Sequence, residues 1–212
     1  MIEQLFDEIQ ADIDWRLDEF KKLELISKHL SGDELKIFLK SIFPTIYAHW
    51  EGFVISSLKL IFKYLNNLEL SCDKYSNIYL TTAYEQTLQS LDSSTQFEKR
   101  KKHLNSLYNN FNNKVSFGEK IDTKSNLAYK VLIEIAIKID IRIEKFESYK
   151  QELNDLVNKR NSISHGENAY NFNSFNDIQK YMDLSENLML DFYSELQDLL
   201  NEKKYMRNIN ND

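Results

Sequence analysis

The sequence is poor in chain breakers and in sulfur: among its 212 residues are 4 glycines, 1 proline and 1 cysteine. So few glycines and prolines exclude an all-β sandwich or barrel, whose many tight turns depend on them. No G-x-G-x-x-G or Walker-type run is present, which argues against the usual dinucleotide and P-loop sites. The lone Cys72 cannot form an internal disulfide, and no Cys or His stands near it at metal-ligand spacing. No Asp/Glu/His cluster elsewhere has such spacing either, so neither a metal nor a cofactor is expected. The N-terminal Met1-Ile2-Glu3-Gln4 lacks the basic and apolar regions of a secretory signal. Charged residues interrupt every apolar stretch before the ~18 residues that a membrane span needs. A soluble protein of a reducing cytoplasm is the expectation.

What the chain does contain is core material and balanced charge. Apolar residues make up 42% and aromatics 13%, while 27 basic and 33 acidic residues leave a net charge of −6. High but balanced charge with abundant Phe, Tyr, Leu and Ile excludes disorder as the main state. Any nucleic-acid binding must then come from a local basic patch. No linker rich in Pro, Ser or Gly divides the chain, and no internal repeat is evident. A single domain over residues 1–212 follows, with residues 206–212 fraying.

Apolar residues recur at steps of three and four through Leu5, Phe6, Ile9, Ile13, Leu17, Phe20 and Leu23, predicting an amphipathic helix from Ile2 to about Leu30. Ser31-Gly32-Asp33 stops it, with Gly32 suited to a left-handed helix end and Asp33 to capping the next helix. That helix spans about Glu34 to Leu65, kinked or split at Pro44. Further helices are expected around Ile78 to Leu88 and from Phe97 to Phe111. From Ile133 to Ile143 isoleucine takes every second position, a strand pattern. No second strand is visible to pair with it, so a helix from about Ser125 to Ile137 followed by an extended turn is preferred. Helices from about Glu144 to His165, ended by Gly166, and from about Asp177 to Tyr205 complete an all-α bundle of long antiparallel helices.

The segment from Leu153 to Gly166 carries the chemistry. At ~100° per residue, Leu156, Val157 and Ile163 fall near ~300°, ~40° and ~280° from Leu153, and Arg160 near ~340°. Arg160 thus lies inside the apolar stripe, where its charge needs an anionic or multiply accepting partner. Asn161 and His165, four residues apart, stack on one flank. His165 ends the helix, at the negative end of its dipole. On the second long helix, Glu51 falls among Tyr47, Val54, Ile55 and Leu58. A Glu51–Arg160 pair reads either as a salt bridge fixing helix register or as part of an active-site cluster.

Arg160-Asn161-Ser162-Ile163-Ser164-His165 resembles the R-N-x-x-x-H signature of HEPN domains. Ala48-His49-Trp50-Glu51-Gly52-Phe53 is similar to the A-h-W-E-G-F segment of a stand-alone HEPN branch that occurs near toxin and defence genes. The resemblance covers most of the chain. It implies a homodimer in which two motif helices meet and form one composite RNase cleft, without a metal. It further implies that Arg160 holds the scissile phosphate, that His165 is the general acid or base, that Asn161 orients the imidazole or the phosphate, and that Glu51 is a further polar residue of the site. RNA would be cut to a 2′,3′-cyclic phosphate and a 5′-hydroxyl, in a toxin or antiphage-defence role. An antitoxin or a defence-system protein is then an expected partner. The alternative is a non-catalytic binding or dimerisation module of such a complex. A toxin branch carries a tyrosine two residues after the histidine, where this chain has Glu167, so that branch's regulatory modification is not carried over.

Around this site, Lys159 and the run Lys99, Arg100, Lys101, Lys102 read either as solvated helix surface or as contacts to RNA phosphates. Trp15 and Trp50 are expected as core or interface anchors. Tyr170, Phe172 and Phe175 are expected to pack their loop onto the bundle.

Overall fold

A computed structural model of the chain describes residues 2–93, 96–110, 113–118, 120–167 and 169–208. Among these are seven α-helices and no strand: α1 (Ile2–Ser27), α2 (Gly32–Asn67), α3 (Asn77–Ser93), α4 (Phe97–Asn110), α5 (Tyr129–Lys138), α6 (Lys150–Ser164) and α7 (Asn176–Asn201). The all-α reading holds, and the isoleucine alternation forms no strand.

α2 is the axis. It packs against α1, α6 and α7, and α1 also touches α7. Paired side chains give the directions. Asp12 meets Ser56 while Arg16 meets His49, so α1 is antiparallel to α2. Tyr47 faces Arg160 while Lys40 reaches Glu167, so α6 is antiparallel to α2 as well. Phe43 touches Tyr181, and Trp50 touches Phe192, so α7 runs parallel to α2. The loop that follows α6 makes this possible. Phe172 stacks on Phe43 at 5.0 Å and returns the chain to the N-terminal half of α2, where α7 begins. The aromatic loop residue thus packs as expected.

Several boundaries differ from the sequence reading. α2 is continuous through Pro44. Proline removes one amide donor and crowds the preceding turn, but Phe43, Ile46, Tyr47 and Trp50 are all fully buried around it and hold the helix together. Gly32 does take the left-handed conformation, at φ +56°. Asp33, however, is not a cap: the helix starts at Gly32 after an extended Ser31, and Asp33 pairs with Lys36 at 3.2 Å.

α5 starts at Tyr129 rather than near Ser125, because other helices take the amides that precede it. Lys124 and Ser125 are left-handed, the Leu127 N–H donates to Tyr47 Oη at 2.6 Å, and the Tyr129 N–H donates to Asn154 Oδ1 at 3.1 Å. The helix ends where Asp140 turns left-handed and the Ile141 N–H reaches back to the Ala136 carbonyl at 3.1 Å, a six-to-one helix closure. Residues Glu144–Tyr149 form a 3-10 turn ahead of α6 rather than its first turns. The chain beyond α7 is also tied down. Tyr205 is buried against Tyr75 and Tyr79, the Ser76 N–H donates to the Tyr205 carbonyl at 2.9 Å, and the Arg207 N–H donates to the Lys74 carbonyl at 2.8 Å. Fraying from residue 206 is therefore not observed at 206–208, and 209–212 lie outside the described residues.

Candidate active site

α6 ends as its sequence predicts. His165 is the last near-helical residue, Gly166 follows at φ +79°, and the Glu167 N–H closes onto the Ser162 carbonyl at 3.0 Å. A second clasp comes from the Ser162 hydroxyl, which donates to the Glu167 carboxylate. Lys40 of α2 donates to the Glu167 carbonyl at 3.2 Å. The turn that carries His165 is therefore fixed against α2, while the His165 side chain stands exposed.

One turn earlier, the Arg160 guanidinium lies over the Tyr47 ring, 4.5 Å from its centroid, and donates to Asn161 Oδ1 at 2.8 Å. Asn161 in turn donates to Asn126 Oδ1 at 3.4 Å. Glu51, one turn after Tyr47 on α2, accepts from the buried Thr123 hydroxyl at 2.7 Å. Burial holds the Tyr47 phenol protonated far above its ordinary range, and the neighbouring Glu51 carboxylate adds to this against the amide of Leu127 and the charge of Arg160. Tyr47 is therefore a neutral wall between an anion and a cation.

Of the two readings of Glu51 and Arg160, the salt bridge does not form among the described residues. Both side chains are half-buried rather than sealed, and each has a neutral partner instead: a hydroxyl for Glu51, and a ring plus an amide oxygen for Arg160. The structure thus brings Arg160, Asn161, Tyr47, Glu51, Thr123 and Asn126 together where α2, α6 and the segment before α5 meet. His165 lies at the open end of the same helix.

The basic candidates fall elsewhere. Lys159 is occupied: it pairs with Asp155, and its ammonium sits 5.2 Å from the Tyr170 ring and 5.6 Å from the Tyr181 ring. Lys99, Arg100, Lys101 and Lys102 are exposed on α4, which packs on α3, whereas α6 packs on α2, α5 and α7.

A second polar cluster escaped the sequence reading. Arg16 of α1 is only 6% exposed. It donates to both carboxylate oxygens of Asp12, at 3.1 and 3.2 Å, and to the His49 carbonyl at 3.0 Å. Asp12 also accepts from Ser56 at 2.5 Å. Arg16 Nη1 approaches His49 Nδ1 at 3.4 Å. On the other side of the ring, His49 Nε2 lies 3.2 Å from a Glu19 oxygen. Burial holds the His49 pKa below its ordinary value; the Arg16 charge acts the same way, and Glu19 opposes both. A Cβ on Gly52 would sit 3.0 Å from Arg16 Nη1, so glycine is there to admit the guanidinium. Trp15 covers the cluster from outside and is 48% exposed, whereas Trp50 is fully buried against Phe192. Two signals pointed here: Arg16 follows Ile9 and Ile13 on the apolar stripe of α1, and Gly52 sits inside a long helix.

No group of three or more His, Cys, Asp or Glu among the described residues is placed to share a metal ion. No described helix is long and apolar enough to cross a membrane.

The domain is an all-α bundle built on one long axial helix, with an Arg-Asn pair near the end of an antiparallel partner and a histidine closing that partner. The RiboL-PSP-HEPN family model matches residues 11–198, and the chain belongs to that family. Membership points to a nuclease or RNA-binding function. Searches against curated proteins and solved structures give no significant match.

Proposed function

We propose that the protein is an endoribonuclease that needs no metal, acting as a homodimer with a composite site at the ends of its two α6 helices. The observation that carries this reading is the state of Arg160. It is held in place by the Tyr47 ring and by Asn161, yet no carboxylate among the described residues neutralises it. A planar, positioned cation with unused donors suits a phosphodiester, whose oxygens accept from its fork.

Arg160 then binds the scissile phosphate and stabilises the charge that grows on it in the transition state. The ribose 2′-oxygen attacks the adjacent phosphorus, and the bond to the 5′-oxygen breaks. His165 moves the protons: one copy removes the 2′-hydroxyl proton, and a second protonates the leaving 5′-oxygen. The exposure of His165 in one protomer agrees with a ring that finds its substrate in a cleft completed by another protomer. Asn161 orients Arg160. Glu51, fixed by Thr123, is the further polar group beside them. The products are a 2′,3′-cyclic phosphate and a 5′-hydroxyl. A toxin or antiphage effector controlled by an antitoxin or another defence protein is the biological role this chemistry fits.

The test is digestion of total cellular RNA in EDTA by the wild type and by His165→Ala, with the fragment ends analysed. Cyclic phosphate ends from the wild type alone are expected. Absence of cleavage by a folded, dimeric wild type would reject the nuclease in favour of a binding module.

A further inference from the structure

We infer that α4 is a binding arm for single-stranded RNA, in which aromatic side chains stack on bases and the basic run follows the phosphates. The inference supplies a binding surface for the reading above, but it stands on observations of its own.

α4 is unlike the other helices. Among residues 97–109 only His103 and Leu107 are even half-buried, and the helix packs on α3. Phe97 and Tyr108 are each 76% exposed, more than any other aromatic side chain among the described residues, and Leu104 is 61% exposed. At ~100° per residue these three positions lie within ~40° of one another on the helix surface. They form a stripe that the fold leaves open. The four successive cations Lys99, Arg100, Lys101 and Lys102 are exposed on the same helix, in the stretch between Phe97 and Leu104. They are accompanied there by one acid, Glu98, which meets Lys101 at 4.0 Å. In a chain of net charge −6 this is a local reversal of sign, the condition that an acidic protein must meet to hold a polyanion.

The arrangement selects the polyanion. Lys101 falls near ~40° from Phe97, on the apolar stripe itself, and Arg100 falls on its border. A membrane-surface helix keeps its apolar face free of charge so that it can enter the acyl boundary. A cation set among exposed rings instead matches a flexible strand, which offers base faces and phosphates in alternation. Splayed bases stack on aromatic rings without regard to sequence, and phosphate contacts make the binding salt-dependent.

The test uses a short fluorescein-labelled single-stranded 2′-O-methyl RNA, which cannot be cut through a 2′-hydroxyl. Binding to the full-length protein is followed by fluorescence anisotropy across a salt series. Replacement of all four cations (Lys99→Gln, Arg100→Gln, Lys101→Gln, Lys102→Gln) is expected to weaken binding at least about tenfold and to flatten the salt dependence. Phe97→Ser with Tyr108→Ser is expected to weaken it about tenfold with the salt slope unchanged. All these positions are exposed, and far-UV circular dichroism checks that each variant folds. Unchanged affinity in both variants, or no RNA binding by the wild type, overturns the arm. Preference of the wild type for phosphatidylserine vesicles over RNA overturns it in favour of a membrane surface. The nuclease reading fails separately: a wild type that binds through α4 but never cuts unmodified RNA keeps the arm and loses the enzyme.

Discussion

Two arginines lean on opposite faces of one stretch of α2, and they are not alike. Arg16 meets the His49–Gly52 side, and Arg160 meets Tyr47 on the other. Arg16 is buried, paired with a carboxylate and bonded to a carbonyl, with Trp15 over it. Arg160 is half-buried and has an aromatic ring and an amide oxygen for company. A charge that has been neutralised inside the fold serves the fold. A charge that is held but not neutralised retains its attraction for an anion from outside. The contrast also divides the Trp50-Glu51-Gly52-Phe53 segment: Trp50 and Phe53 fill the core against Phe192, Gly52 makes room for Arg16, and Glu51 faces the candidate site.

The sharpest break of this comparison comes from removing each partner in turn. His165→Ala and Arg160→Ala are expected to lower RNA cleavage by roughly 10²–10⁴-fold, the usual contribution of a proton-transfer group or a phosphate clamp. Arg160→Ala should also cost at most about 1 kcal/mol of stability in denaturant titration, the worth of a ring contact. A loss several times larger would mean that Arg160 is structural after all. Arg16→Leu should behave in the opposite way, losing about 3 kcal/mol because Asp12 and the His49 carbonyl are left without their donor.

A smaller effect is expected where a buried carboxylate holds a loop. Glu195 of α7 is fully buried and accepts from both the guanidinium and the backbone N–H of Arg142. Glu195→Gln should cost about 2 kcal/mol, as for a hydrogen bond to a charged group. Burial alone would raise the Glu195 pKa, but the bonds from Arg142 outweigh it and hold it below the usual carboxylate value. This stabilisation is present above the unfolded carboxylate range and is lost as pH falls through the lower folded value. Acid titration of the wild type should therefore steepen there, and that of Glu195→Gln should not.

His49 adds a milder pH term. Its folded pKa is lowered by burial, so below about 6.5 the unfolded chain binds the proton first and stability falls with pH. His49→Gln should flatten that slope, which melting temperatures measured across the acid range would show. The smallest change is Gly52→Ala. A methyl group 3.0 Å from Arg16 Nη1 must displace a fixed guanidinium. The helix propensity gained offsets part of that cost, and a net loss of about 1 kcal/mol is expected.

Much of this was legible beforehand. Helix count, the left-handed Gly32, the Gly166 stop and the Arg-Asn-His order on α6 follow from periodicity and local backbone preference, which neighbouring residues decide among themselves. The misreadings share one cause. The start of α5 is set by Tyr47 and Asn154, which are far away in sequence and take its amides. The tail is held by residues 74–76, and Pro44 is tolerated because Phe43, Ile46, Tyr47 and Trp50 around it are buried in the core. The expected Glu51–Arg160 pair was inferred from two charges on apolar faces, but Thr123, from a segment with no pattern of its own, reaches Glu51.

The sequence by itself determined the all-α class and the family, because helical period and motif spacing are properties of short stretches. It also placed Arg160, Asn161 and His165 on one helix. Only the tertiary structure decided which arginine is buried in the fold and which is left half-open. The near partners are local, Asp12 one turn before Arg16 and Asn161 beside Arg160, but the His49 carbonyl that Arg16 meets and the Tyr47 ring that Arg160 meets are brought in by α2 from far along the chain.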